Sequence, residues 1–246
     1  MKLTKIMMAG LVTTSVLLGS NLGTHAEAAT PEAGKSIKSK GDVSFKLDDS
    51  TTPPVDPTDP DKPVTPDEPG ESTSGPLSID HVSNLHFGEQ IISAKSKTYY
   101  ADLEKVTMDG NKIEVPNYVQ ITDKRGSNEG WTLTVKQDTQ FATTEDVAVK
   151  ELKGAVLKLN NTQVQTTTDN KAKKPTPTTE ITLEPGGDAL PVLVANKDEG
   201  MGLWTGSFGD KNTAAKSVSL SVPGESAKYE TNYSTELTWN LASTPI

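Results

Sequence analysis

Alternation of apolar and polar positions, the period of a half-buried strand, recurs along most of this chain. In Lys40-Gly41-Asp42-Val43-Ser44-Phe45-Lys46-Leu47, the residues Val43, Phe45 and Leu47 fall on one side of an isolated predicted strand. After Gly75-Pro76 the pattern predicts strands through Leu77, Ile79 and, after a shift, Val82 and Leu85, leading to Phe87-Gly88. Further strands are expected at Gln90 to Ala94, Thr98 to Ala101, Tyr118 to Thr122, Trp131 to Val135, Ala155 to Leu159, Thr179 to Leu183, Val218 to Val222 and Glu236 to Leu241. Turn residues punctuate them at Asp109-Gly110-Asn111, Asn160-Asn161, Gly186-Gly187, Asp198-Glu199-Gly200 and Pro223-Gly224. Many short strands between such turns predict an all-β sandwich or barrel. Thr144 to Leu152 is the one rival for a helix, but Val147 and Val149 are two apart, so no helix is expected there.

Two segments break the pattern. Lys2 and Lys5, an apolar run from Ile6 to about Leu18, and Ala26-Glu27-Ala28-Ala29 have the order of a secretory signal peptide, expected over residues 1–28. From Thr51 to Pro76, eight prolines are interleaved with Asp56, Asp59, Asp61, Asp67, Glu68 and Glu71. Fixed φ angles, missing donors and like-charge repulsion predict an extended, solvated stretch, either a spacer or a loop inserted in the domain. The expected organisation is therefore a signal peptide at 1–28, an N-terminal segment with one strand at 29–50, a Pro/Asp-rich linker or loop at 51–76, and a β domain at 77–246. No other stretch is apolar enough to span a bilayer, so no membrane span is expected in the mature form.

The formal charge is −9, and Arg125 is the sole arginine. That balance argues against nucleic acid as a partner, because phosphate binding needs clustered basic side chains. There is no cysteine, so stability must come from the core, which a domain of this size can supply.

The most informative strands carry tryptophan. In Trp131-Thr132-Leu133-Thr134-Val135 the apolar residues share one face. In Tyr233 to Leu241 the same alternation groups Tyr233, Thr235, Leu237, Trp239 and Leu241. A ring that shares a face with aliphatic side chains is expected in the core. Trp204, within Gly200-Met201-Gly202-Leu203-Trp204-Thr205-Gly206, is instead the candidate for a ring presented at a surface, because glycines expose the backbone around it; core filling is the competing reading.

The paired motifs resemble the WxL domain of Gram-positive surface proteins. The distal motif, Y-x-x-x-L-T-W-x-L-x-x-x-P, is matched by Tyr233, Leu237, Thr238, Trp239, Leu241 and Pro245, and the proximal one by Trp131 and Leu133 after Val119 to Gly126 and Gly130. The likeness runs from about Lys40 to the end of the chain. It implies a secreted, wall-associated protein that binds peptidoglycan or another cell-wall polymer noncovalently and assembles with other surface proteins, including ones with a WxL-interacting domain. An anionic wall would repel this chain at long range, so contact must be short-range.

Arg125, beside Asp123 and Gly126, is a second candidate contact for a carboxylate of the wall or of a partner, set against a local ion pair with Asp123. Catalysis finds little support. His81 and His86 fall on opposite faces unless a bulge intervenes, no G-x-S-x-G elbow occurs, and Asp56, Asp59 and Asp61 lack the spacing of a calcium loop. No cofactor, metal or catalytic residue is expected. The competing readings are a wall-modifying hydrolase with an unrecognised carboxylate site and a soluble secreted ligand-binding β protein.

Overall fold

A computed structural model describes residues 37–148 and 150–244. The expected signal peptide, Val149 and Pro245 therefore lie outside the described residues. Residues up to Ser44 and residues from Phe45 onward are separate units. Of the first, residues 37–44 are described, and they carry no strand.

The second unit holds the strands β1 (Val55–Asp56), β2 (Asp59–Pro63), β3 (Thr65–Pro66), β4 (Leu77–Val82), β5 (Lys97–Tyr100), β6 (Glu104–Met108), β7 (Asn111–Val115), β8 (Tyr118–Asp123) and β9 (Trp131–Gln137). They are followed by β10 (Val156–Asn160), β11 (Thr162–Gln165), β12 (Thr176–Pro177), β13 (Glu180–Leu183), β14 (Leu190–Ala195), β15 (Gly202–Phe208), β16 (Val218–Val222) and β17 (Leu237–Ala242). All pair antiparallel, in three four-stranded sheets ordered β11-β15-β8-β4, β13-β10-β16-β5 and β12-β14-β9-β17, with smaller sheets β3-β6-β7 and β1-β2. The all-β expectation holds, and the described residues from Thr144 to Leu152 form no helix.

One main core joins the three larger sheets. Each contributes the apolar face that its alternation defines: Ile79 and Ile121 from the first, Leu157 and Leu220 from the second, Trp131, Leu133 and Val135 from the third. The sequence pattern works here because one face of each of these strands faces other protein and the row of apolar side chains must follow it. β4 carries a bulge between Ile79 and His81, which leaves Asp80 unpaired in the ladder and buries Asp80 and His81 together.

The Pro/Asp tract is extended as expected, but most of residues 53–66 is docked rather than solvated. Its two valines are its anchors. Val64 enters a second core with Val106, Val115 and Tyr118. Val55 is buried, and its N–H donates to Gln120 Oε1 at 2.9 Å while Gln120 Nε2 donates to the Pro53 carbonyl at 3.0 Å. Asp61 holds the Thr168 backbone N–H at 3.0 Å, and hydrogen bonds from Thr168 pull its carboxyl below the usual range. The proline composition correctly removes regular ladders from most of the tract; it does not prevent individual polar partners from pinning it.

Two expected strands are absent. Residues 37–54 have no strand, and Phe45 and Leu47 lie 93 % and 52 % exposed. Gln90 to Ala94 is irregular, with Ile91 and Ile92 exposed. Both stretches have strand-like composition but no neighbour to supply the other half of a ladder.

Candidate functional site

The two Trp-x-Leu motifs are on hydrogen-bonded neighbours. β9 pairs with β17 so that Leu133 faces Leu241 and Val135 faces Trp239. Their environments differ. Trp131 is fully buried, and its indole N–H donates to the Gly200 carbonyl at 2.9 Å. Gly200 has φ of +75°, and a Cβ there would lie 2.6 Å from the Trp131 indole nitrogen, so only glycine admits this packing. Trp131 and Leu133 are framework, as their alternation predicts. Trp239 sits on an edge strand and is half-buried, its ring 6.4 Å from that of Phe208.

Trp239, Leu237, Thr238 and Tyr233 line a groove of about 1430 Å³. Its apolar surface also includes Phe87, Phe141, Tyr99, Leu157, Leu220 and Val222, with Ile91 and Ile92 from the irregular loop. Phe87 and Phe141 meet edge to face with centroids 6.2 Å apart, holding the loop after β4 against the core. Six carboxylates belong to the groove lining: Glu71, Glu89, Asp138, Glu145, Glu230 and Glu236. Lys228, also in the lining, is turned to the carbonyls of Pro223 and Ser226. Asp138 accepts from Thr238 at 2.6 Å and pairs with Lys136 at 2.9 Å; those hydrogen bonds, Thr238 first, hold its carboxyl below the usual range. The groove is thus an apolar floor with an anionic margin.

Trp204 is not presented at a surface. It stands on β15 opposite Ile121, is 2 % exposed, and donates its indole N–H to the Met201 carbonyl at 3.0 Å. The nearby glycine serves the packing of Trp131 rather than the exposure of Trp204. Arg125 likewise offers no free fork. It binds both oxygens of Asp123 (3.0 and 2.8 Å), the Gly130 carbonyl at 2.7 Å and the Ser243 carbonyl at 3.0 Å. These bonds fasten the turn before Trp131 to the end of β17, and the hydrogen bond to Asp123 raises the guanidinium further above its ordinary value. Trp239, assigned to the core by its alternation, is the motif tryptophan that reaches an open surface.

The bulge in β4 does not join the two histidines. His81 is buried, with its Nε2 2.9 Å from Glu104 Oε1 and its ring 4.5 Å from that of Tyr118, whereas His86 is exposed and pairs with Glu68 at 2.9 Å. Ser83 donates to the other Glu104 oxygen, so serine and histidine both approach the carboxylate and not each other. That geometry gives no activated nucleophile. Among the described residues, no group of three or more His, Asp or Glu side chains could hold a metal ion.

An all-β framework with a buried Trp131 motif thus carries an open, partly aromatic groove at the β17 edge. The chain belongs to the WxL domain family, whose model, described as surface cell wall-binding, matches residues 32–245. No curated protein and no solved structure matches the chain. It is a surface protein with a cell wall-binding domain, and no helix among the described residues is long and apolar enough to cross a membrane.

Proposed function

We propose that the protein is exported by its N-terminal leader, carries no catalytic activity of its own, and binds peptidoglycan noncovalently through the groove that Trp239 and Tyr233 line. The observation that carries this reading is the half-buried Trp239, a family motif residue that packs against the core on one side and lines the groove on the other. The groove volume of about 1430 Å³ accommodates a sugar pair with part of a peptide stem. An aromatic floor offers apolar area to the C–H faces of sugar rings. Rim carboxylates accept hydrogen bonds from hydroxyl, amide and ammonium groups. Because the chain is acidic overall, affinity rests on these short contacts rather than on long-range attraction. The protein takes part in surface complexes, with proteins bearing a WxL-interacting domain as the partners that the family resemblance implies.

The test is sedimentation of the folded chain with purified peptidoglycan, with and without its attached anionic polymers, alongside Trp239→Ala. Binding to both preparations, lost in a variant that circular dichroism shows to be folded, supports the reading. Failure to sediment with either preparation removes it, and clearing of wall in a zymogram removes the non-catalytic part.

A further inference from the structure

The molecule exposes two surfaces that complement each other. One is the groove, apolar at its floor and bordered by six carboxylates. The strands β5 and β17, which contribute Tyr99, Leu237 and Trp239 to it, are each the last strand of their sheet. An edge strand offers unpaired N–H and C=O groups to any further extended chain. The other surface is the row Val43, Phe45 and Leu47, which has the period of a half-buried strand but lies 79 %, 93 % and 52 % exposed. Around that row the segment from Ile37 to Leu47 carries Lys38, Lys40 and Lys46 against Asp42 alone, a basic stretch in a chain whose net charge is −9.

We propose that Gly41 to Leu47 of one molecule adds as an extended strand into the groove of a second copy. Seven extended residues span roughly 23 Å, and alternate side chains enter while their polar neighbours stay outward. Phe45 and its flanking apolar residues meet the aromatic floor, and the lysines meet the acidic margin. The root of the segment is already fixed: Lys124 Nζ holds Asp48 at 3.0 Å and the Ser50 carbonyl at 3.0 Å. Phe45 and Leu47 therefore sit next to an anchored stem. The family match, which begins at residue 32, makes this segment part of the shared domain. A donor and an acceptor on different parts of one molecule give a head-to-tail contact, which closes into a dimer if the exchange is reciprocal and otherwise propagates. The inference rests on the shape and charge of the groove, not on its wall ligand.

Sedimentation velocity of the full mature chain, without wall material, tests it. The chain should self-associate as concentration rises, and added salt should weaken the association. Phe45→Asp removes the donor, and the paired exposed-rim changes Glu230→Lys and Glu236→Lys impair the acceptor; each should weaken self-association at least tenfold without moving the melting transition. Mixed in equal amounts, the two variants should form a one-to-one dimer, because each supplies what the other lacks. A wild-type chain that stays monomeric, association indifferent to both variants, or a mixture that stays monomeric would each overturn the proposal. So would amide protection of Val43 to Leu47 in a monomer, which signals closure within one chain. Peptidoglycan sedimentation of monomeric Phe45→Asp is read separately and reports on wall binding alone.

Discussion

Leu133 and Leu241, the last residues of the two Trp-x-Leu motifs, face one another directly across the β9–β17 ladder. The motifs that label the domain are thus one structural unit, joined by backbone hydrogen bonds although they are far apart in sequence. Within it the roles divide. On β9 the motif residues Trp131 to Leu133 are all buried, and the β17 side is the edge that opens to the groove.

That division predicts different consequences for the two tryptophans. Trp131→Ala empties a buried site and leaves the Gly200 carbonyl without its indole donor, so it should cost about 3–5 kcal/mol in denaturant unfolding. Trp239→Ala should cost less, about 1–2 kcal/mol, because the ring is only half-buried. Peptidoglycan sedimentation should fall in Trp239→Ala under conditions where circular dichroism shows it folded. Equal destabilisation by the two changes would contradict the assignment of one ring to the framework and the other to the groove.

The sequence made some of this architecture readable and hid the rest for identifiable reasons. β8, β9, β16 and β17 were legible because aliphatic residues recur along them at every second position. β15 was not: Gly202, Gly206 and small polar residues dilute its signal, and every position from Trp204 to Phe208 is buried, which erases the difference between faces. In the Pro/Asp tract, composition points to solvent, whereas Val55 and Val64 are held by Gln120 and by the second core, partners that only the fold brings near. The glycines around Trp204 fit either a surface ring or a core ring, and the fold takes the core reading, with Gly200 making room for Trp131. The groove lies between sheets, so no local pattern announces it.

Arg125 should behave as a structural clamp. Asp123 is 2 % exposed at its side chain, and removing its partner leaves a buried carboxylate uncompensated. Arg125→Ala is expected to cost about 3 kcal/mol in thermal or denaturant unfolding. Arg125→Lys should recover little of that loss, because an ammonium cannot span Asp123, the Gly130 carbonyl and the Ser243 carbonyl as the planar fork does. Full rescue by lysine would show that charge alone, not the fork, joins the turn to β17.

Asp80 gives the fold a pH dependence of known sign. Burial raises its carboxyl above the ordinary range, against the opposing hydrogen bonds from Ser78, Thr122 and Gln120. A group raised in the folded state stabilises the protonated protein. Its contribution is therefore complete below the unfolded carboxylate pKa and declines as pH rises through the folded value. Titration followed by the Asp80 side-chain carbon should show a midpoint above that of exposed aspartates. Asp80→Asn should remove this group's share of the slope of stability against pH; an unchanged slope would mean that Asp80 titrates normally.

Gln120 should govern whether the Pro/Asp tract stays docked. It is wholly buried, accepts the Val55 N–H through Oε1 and donates through Nε2 to the Pro53 carbonyl and to Asp80. Gln120→Ala deprives a buried backbone N–H of its acceptor, a loss of about 1–3 kcal/mol that the tract meets most readily by lifting off. Hydrogen exchange at the Val55 amide should quicken well before global unfolding, and the Val64 amide, bonded to the Pro54 carbonyl at 3.0 Å, should follow it. Gln120→Glu keeps the acceptor for Val55 but loses the donor and sets a second carboxylate beside Asp80. It should therefore destabilise more at neutral pH than in acid, where protonation restores a donor and removes the repulsion. If Val55 exchanges only through global unfolding in both variants, the tract is held by its valine packing rather than by this side chain.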